Sequence, residues 1–131
     1  MLVAGGILAG IAVPGFRSQL LRANRSEARA ALLALATAQE KYYLQCQRYA
    51  SGLDPAQASD CEAQRLRFPV ATERGYYRLA IASADEHAWV ANVTPAGPPQ
   101  DADSRCRVLR LDATGRRSAL VRTGGSLRRR A

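Results

Sequence analysis

The chain has 131 residues, of which 47% are hydrophobic, and a formal net charge of +8. That length suits one domain with a modest core, and the hydrophobic fraction argues against wholesale disorder. The 19 basic residues are 18 Arg and one Lys, and the chain has one His and three Cys. This composition argues against a metalloenzyme or a histidine-based hydrolase.

The first 16 residues, MLVAGGILAGIAVPGF, contain no charged or polar side chain. As a helix they would reach about 24 Å, short of the ~20 residues that a bilayer core needs. Three glycines in the first ten residues favour helix packing in lipid or in an assembly, with a buried core helix as the weaker alternative. We interpret residues 1–22 as the hydrophobic half of a longer helix, N-terminally incomplete in this sequence.

The helical pattern continues beyond Pro14, which is expected to kink the helix without stopping it. Between residues 28 and 49, one set of positions recurs at alternating spacings of four and three and is apolar apart from one Gln. One face of the helix is therefore predicted to be buried. This face comprises Ala28, Leu32, Leu35, Gln39, Tyr42, Cys46 and Tyr49. A separate stripe, predicted to be solvated, holds Arg22, Arg25 and Arg29.

The second half of the chain predicts a sheet, which makes the fold class α+β. Residues 51–75 are rich in helix breakers and are predicted to be irregular. After Gly75 the apolar period changes to two, which is typical of half-buried strands. Four strands are expected, over residues 76–81, 87–94, 105–111 and 117–122. A loop is predicted over 95–104, a hairpin turn over 112–115 and a frayed basic tail over 124–131.

The positive charge is concentrated at the C-terminal end. Residues 1–104 hold nine Arg and one Lys against ten acidic residues, whereas residues 105–131 hold nine Arg against Asp112 alone. Such an end could meet phosphate groups or anionic lipid, although solubility together with a general preference for Arg over Lys is the alternative explanation. The candidate nucleic-acid contacts are Arg105, Arg107, Arg110, Arg116, Arg117 and Arg122.

The side chains that enzymes use for chemistry are sparse, so we predict that the protein is not an enzyme. No cysteine or histidine spacing suits a metal, and no glycine-rich phosphate-binding motif is present, so no cofactor or metal is expected. Glu27 and Glu40 are single carboxylates on the helix and lack the pairing that acid–base catalysis needs. His87 is predicted to lie at the surface of a strand, and Trp89 to serve core or interface packing rather than base stacking.

Several segments, taken in order, resemble type IV pilin-like proteins, most closely the PilE-like minor pilins related to ComP-type DNA-uptake receptors. They are an apolar stretch ending in Ile11-Ala-Val-Pro14, Arg25-Ser-Glu-Ala-Arg-Ala-Ala-Leu32, Glu40-Lys-Tyr-Tyr43, Gly75-Tyr-Tyr-Arg-Leu79 and Leu111-Asp-Ala-Thr-Gly115. The resemblance implies a long N-terminal helix, with its second half packed on a four-stranded antiparallel sheet. Residues 23–123 would then form the globular pilin domain, followed by the basic tail.

The resemblance also implies a location and partners. The first half of the helix would anchor the subunit in the inner membrane, with a periplasmic globular domain, and later pack among other pilin subunits in a cell-surface pilus. Family precursors carry a basic leader, a Gly-Phe cleavage site and a Glu in the apolar helix. None of these is present in this sequence, so processing and N-methylation are assigned to no residue here.

The three cysteines fit an exported domain and allow three single pairings. Cys46–Cys61 would close a 16-residue loop and contribute about 3 kcal/mol in the chain-entropy model. Cys61–Cys106 would tie the irregular segment to the sheet, as pilin disulfides often do near the C-terminal region. We favour the shorter loop, with Cys106 as the alternative partner.

Three functions are compatible with these observations. The first is a minor pilin with a structural role in assembly of a type IV pilus. The second is a pilin-like DNA receptor for DNA uptake, whose arginines contact phosphates with salt-dependent and weakly specific affinity. The third is a type II secretion pseudopilin, which the GYYRL and LDATG segments disfavour. None of the three requires a small-molecule substrate.

Overall fold

The computed structural model describes residues 2–103, 107–123 and 126–130, and side chains within residues 15–103 and 107–120. One helix, α1, spans Leu2–Cys46. The strands within this part of the chain are β1 (Gly52–Leu53), β2 (Arg65–Leu66), β3 (Tyr77–Ala84), β4 (Trp89–Pro95), β5 (Val108–Asp112), β6 (Arg117–Thr123) and β7 (Ser126–Arg130). A 3-10 helix over Gln100–Ala102 lies between β4 and β5.

The predicted fold class is confirmed: a long N-terminal helix accompanies an antiparallel sheet. The four predicted strands correspond to β3, β4, β5 and β6, which pair antiparallel in chain order. A fifth strand, β7, pairs antiparallel with β6 at the sheet edge. The prediction of a frayed tail is therefore wrong for residues 126–130, because backbone pairing can recruit an edge strand whose sequence lacks an apolar alternation.

Helix α1 runs through Pro14, as predicted, and the kink at that residue stays a prediction. The helix ends at Cys46, three residues before the end of the predicted apolar face. Gln47 takes a left-handed conformation, with φ of 56°, and its N–H donates to the Tyr43 carbonyl at 2.8 Å. This arrangement closes the last turn of a helix. Tyr49 instead donates its backbone N–H to the Asp85 carbonyl, at 3.0 Å, beside the sheet.

The predicted buried face of α1 packs on one face of the large sheet. Ala28, Leu32, Leu35, Gln39 and Tyr42 are all buried, as is Tyr49 beyond the helix end. The sheet side of the core contains Tyr77, Leu79, Trp89, Ala91, Val93, Leu109 and Leu111. The core side chains of β4 and β5 alternate along the strand, as the predicted period of two requires.

Gln39 is the polar member of that apolar face, and its side chain forms hydrogen bonds with the backbone of Ala50. Its Nε2 donates to the Ala50 carbonyl, and its Oε1 accepts the Ala50 N–H, both at 2.9 Å. The side-chain amide thus pairs with Ala50 as a neighbouring strand would. Because Gln39 and Ala50 are fully buried, these two bonds satisfy backbone groups that water cannot reach.

The segment predicted to be irregular contains a short parallel pair, β1 with β2. The disulfide joins Cys46 at the end of α1 to Cys61 in this segment, with the Cα atoms 5.3 Å apart. The favoured cysteine pairing is therefore confirmed, and Cys106 lies outside the described residues. The Tyr42 hydroxyl also donates to the Asp60 carbonyl, at 2.9 Å, so a second contact holds the loop to the helix next to the disulfide.

Searching the described residues for a helix both long enough and apolar enough to cross a membrane finds none.

Candidate nucleic-acid interface

A tight turn joins β5 to β6 and presents two of the predicted arginines. Asp112 organises this turn: its Oδ1 accepts the Thr114 hydroxyl at 2.5 Å and the Thr114 and Arg116 N–H groups at 2.9 and 3.0 Å. The Thr114 hydroxyl, followed by the two backbone amides, lowers the pKa of Asp112 below its ordinary value. Gly115 has a φ of 83°, a conformation that glycine adopts without steric cost. Arg116 and Arg117 follow, both exposed.

The other predicted arginines differ in their surroundings. Arg110, in the middle of β5, is half-buried and donates its Nε to Asn92 Oδ1 of β4 at 2.9 Å. Arg107 donates Nη1 to the Asp101 carbonyl, which holds its guanidinium beside the 3-10 helix. Arg105 lies outside the described residues. Arg122 belongs to β6, with a side chain outside the described part.

The pleat of the sheet divides these arginines between two faces. In an antiparallel pair, directly opposed residues share a face and successive residues alternate. Arg117 lies opposite Leu111, which is buried on the helix side, whereas Arg110 lies opposite Ser118. Arg110 therefore lies on the face turned away from α1 and Arg117 on the face turned towards it. These two arginines therefore do not share one surface of the sheet.

Arg117 instead flanks an apolar cleft between α1 and the β5–β6 hairpin, which we call the helix–hairpin groove. One part of the groove is a cavity of about 300 Å³. Its walls comprise Arg29, Leu32 and Leu33 from α1, and Leu109, Arg110, Leu111, Arg117, Ser118 and Ala119 from the sheet. A second part of about 290 Å³ shares Leu33, Leu111 and Arg117 and extends along the helix to Glu40, with Trp89 among its lining residues.

A buried polar network fixes the segment that leads into β5. Asn24 of α1 donates Nδ2 to Gln100 Oε1 at 2.9 Å, and Gln100 Nε2 donates to the Tyr77 hydroxyl at 2.5 Å. Arg25 forms a two-bond ion pair with Asp103. These contacts attach the predicted loop 95–104 to the helix, a few residues before Arg107 and before strand β5, which carries Arg110.

The family model for the type IV minor pilin ComP, a DNA uptake sequence receptor, matches residues 14–110. The chain belongs to this family. A search of curated proteins finds no match to it. The predicted resemblance to minor pilins of the ComP type is therefore confirmed, and the protein is a type IV minor pilin.

The range of the family match covers only some of the candidate arginines of this minor pilin. Arg105, Arg107 and Arg110 fall within the matched residues, whereas Arg116, Arg117 and Arg122 follow them. The matched range also contains the whole Asn24–Gln100–Tyr77 network and the Arg25–Asp103 pair. Sequence reasoning missed Gln100 and Asp103, because a loop composition gives no signal for which of its polar side chains turns inward.

Two other side chains considered in the sequence analysis, Trp89 and His87, contribute to packing or lie at a turn of this minor pilin. Trp89 is 1% exposed and packs near the Tyr49 ring, with centroids 6.5 Å apart, which agrees with the predicted core packing. His87 is exposed but lies in the turn before β4 rather than in a strand, because Asp85 Oδ1 accepts the N–H groups of His87 and Ala88. These two bonds lower the pKa of Asp85.

The two helix carboxylates are separately engaged. Glu27 accepts the Arg74 N–H at 2.8 Å. Glu40 accepts the Tyr49 hydroxyl at 3.4 Å; burial of that hydroxyl, and then the nearby Glu40 charge, raise the pKa of Tyr49. Each carboxylate thus supports a neighbouring segment of the fold, and they share no common site.

Proposed function

We propose that this minor pilin acts in DNA uptake by contacting DNA phosphates through arginines of β5 and of the β5–β6 turn. The observation that carries the proposal is the match to a DNA uptake sequence receptor family, in a chain whose entire net positive charge lies within residues 105–131. Guanidinium groups bind phosphate oxygens in paired, charge-assisted hydrogen bonds, which suits this abundance of Arg over Lys.

The face of the sheet turned away from α1 supports this choice of surface. Arg110 lies there, and so does the exposed Arg78 of β3, because its neighbour Leu79 is buried on the opposite side. Arg116 is exposed in the turn between β5 and β6. The nearby acid, Asp112, uses its Oδ1 for three hydrogen bonds within the turn. On sequence grounds Arg105, Arg107 and Arg122 belong to the same proposal.

The proposal assigns the two halves of the molecule different tasks. The apolar half of α1 anchors the subunit in the inner membrane before assembly and packs among other pilin helices afterwards. The sheet domain lies in the periplasm and then on the pilus surface, where it meets DNA. Its action is binding, with no enzymatic step. Support comes from the uncharged first 16 residues and from the family match.

Salt-dependent DNA binding tests the proposal. Full-length protein in detergent is titrated against a fluorescein-labelled 30-base-pair duplex, and the dissociation constant is measured by anisotropy from 25 to 200 mM salt. The double variant Arg110→Ala/Arg116→Ala is expected to weaken binding and to reduce the slope of log K against log salt by ~0.9 for each phosphate that the protein no longer neutralises.

The matched control is Arg67→Ala, which removes an exposed arginine from the segment between β2 and β3. It is expected to leave both the affinity and the slope close to those of the unaltered protein. Equal slopes for the double variant and the unaltered protein would contradict the proposed DNA-binding surface. An absence of binding at 25 mM salt would contradict DNA binding altogether and would favour a purely structural role in the pilus.

A further inference from the structure

Arg110 is held in place by a neutral side chain of the neighbouring strand. Its Nε donates to Asn92 Oδ1 at 2.9 Å, and the two residues lie directly opposite each other in the pairing of β4 with β5. Both side chains are half-buried on the face of the sheet turned away from α1, because Ala91, Val93 and Leu109 are buried on the other face. The bond therefore restricts the plane of a guanidinium group in the middle of the surface that we propose for DNA.

The chemical nature of Asn92 determines what this bond does to the charge of Arg110. Opposite charges are a favourable cross-strand pair, but a carboxylate at this position would offset the positive charge of the arginine. An amide oxygen accepts the same N–H and carries no net charge. Among the described side chains, no carboxylate oxygen forms an ion pair with Arg110 within 4.0 Å. Arg110 is thus oriented while its positive charge is kept.

This orientation suits the recognition of an anionic group. The Nε–H is only one of the N–H donors of a guanidinium group. The edge formed by its two terminal nitrogens can donate two parallel hydrogen bonds to a pair of phosphate oxygens. Because the Asn92 oxygen faces Arg110, the Asn92 amide nitrogen is a further donor beside it. The pair therefore offers several donors to a partner that is rich in acceptor oxygens.

The neighbours of this pair, in the same row across the sheet, have small side chains. Ala80 of β3 lies opposite Asn92, and Ser118 of β6 lies opposite Arg110. Ala80 is exposed. Since neither neighbour is long enough to cover the guanidinium group, a broad partner such as the backbone of a DNA duplex can approach it across the sheet.

We propose that Asn92 is a positioning residue for DNA binding, whose side-chain oxygen orients the guanidinium group of Arg110 towards a phosphate and leaves its charge in place. This inference rests on the proposed DNA-binding function. A long side chain that is already oriented loses less conformational entropy when it binds. Asn92 therefore increases the affinity for DNA, whereas Arg110 supplies the charge on which the salt dependence rests.

A double-mutant cycle tests this role on the full-length protein in detergent. Asn92→Ala, Arg110→Ala and the double variant are titrated with the fluorescein-labelled duplex over the same range of salt. Asn92→Ala is expected to weaken binding about fivefold, the cost of immobilising one long side chain. The slope of log K against log salt should stay the same, because Arg110 keeps its charge. In the Arg110→Ala background, Asn92→Ala is expected to have no further effect.

Two further substitutions separate the orientation of Arg110 from its charge. Asn92→Asp keeps an acceptor oxygen opposite Arg110 but offsets the positive charge, so the slope is expected to fall by ~0.9, as for one lost phosphate contact. Thr94→Ala is the matched control, because it changes an exposed side chain on the same face of β4. It is expected to leave both the affinity and the slope unaltered.

The outcomes distinguish this inference from the proposed function. If Arg110→Ala leaves binding unchanged, Arg110 is not part of the DNA-binding surface, and both proposals are wrong at this residue. If Arg110→Ala weakens binding but Asn92→Ala does not, only the role of Asn92 is overturned. Equal losses for Asn92→Ala in the two backgrounds would show that it acts on the fold and not through Arg110. An unchanged slope for Asn92→Asp would also overturn the inference.

Discussion

Arg25 and Asp103 are joined by two hydrogen bonds, Nε to Oδ2 at 2.5 Å and Nη2 to Oδ1 at 2.6 Å, across 78 positions of the sequence. The Asp103 side chain is 2% exposed and that of Arg25 is 15% exposed. Together with Asn24 and Gln100, the pair fastens the segment before β5 to the helix. The position of β5 relative to α1 therefore depends on buried polar contacts as well as on apolar packing.

Removing the carboxylate of this pair is expected to destabilise the fold. Asp103→Ala should lower the free energy of unfolding by about 3 kcal/mol, because it takes the partner from a guanidinium that water reaches poorly. Urea-induced unfolding followed by Trp89 fluorescence measures the loss. Asp101→Ala changes an exposed carboxylate two residues away and should stay within ~0.5 kcal/mol of the unaltered protein. Equal stability of the two variants would contradict the importance given to the pair.

The Gln39–Ala50 pairing predicts a cost for a substitution that looks favourable by hydropathy. Gln39→Leu keeps a similar volume in the core but leaves the Ala50 N–H and carbonyl without these partners. Each such buried group costs ~1–3 kcal/mol, so the variant is expected to lose at least about 2 kcal/mol. Thermal unfolding monitored by circular dichroism provides the measurement. For comparison, Gln45→Leu alters an exposed residue of the same helix, and a similar loss there would refute the explanation.

The disulfide is expected to stabilise the protein by restricting the unfolded chain. Cys46→Ala/Cys61→Ala should lower the free energy of unfolding by about 3 kcal/mol, the value for a loop of ~15 residues. Chemical unfolding under non-reducing conditions tests this value, and peptide mapping of the unaltered protein identifies the bonded pair. Cys106→Ala serves as the control. Recovery of a Cys61–Cys106 peptide as the main species would contradict the assigned pairing.

The hydrogen bonds to the Asp112 carboxylate in the β5–β6 turn lead us to expect that stability depends on pH. The Thr114 hydroxyl and two backbone amides hold the folded pKa of Asp112 below 3.8, its ordinary value. Its contribution is therefore fully present above the unfolded pKa and is lost as the pH falls through the folded pKa. Asp112→Asn should be less stable than the unaltered protein at pH 7, and the difference should shrink below pH ~4.

Unfolding free energies measured between pH 2.5 and 7 provide the comparison. Asp101→Asn is the control, because its exposed carboxylate accepts no hydrogen bond from turn amides in the described part of the chain. A difference between Asp112→Asn and the unaltered protein that stays constant across this range would contradict the assigned hydrogen bonds.

The residues that pack periodically were predictable, and those that depend on a distant partner were not. The apolar face from Ala28 to Tyr42 follows from helical spacing alone, since each side chain needs only a position on the cylinder to be buried. The helical spacing identified Gln39 as the one polar residue on that face, but it did not identify Ala50 as its partner. Nor could the sequence distinguish the buried Asn24 from the polar residues around it, because its partner Gln100 lies 76 positions away.

In the candidate interface, too, local features were predictable and features that depend on strand pairing were not. The sequence located the arginines and the turn between β5 and β6, because composition and turn chemistry are local properties. It could not place Arg110 and Arg117 on opposite faces, since that depends on how the strands are aligned against each other. The strand β7 was missed for a related reason: its run of arginines lacks the apolar alternation by which strands are recognised.

The turn at Asp112–Arg116 also has an evolutionary consequence. Side chains alternate along a strand, so one residue removed between Asp112 and Arg117 inverts the parity of everything that follows if the pairing ladder is kept. Ser118 would then lie opposite Leu111, in the place that Arg117 now holds on the side of the sheet that faces α1. The loss of a single codon in this turn would therefore take a positive charge away from that side of the sheet without altering any arginine.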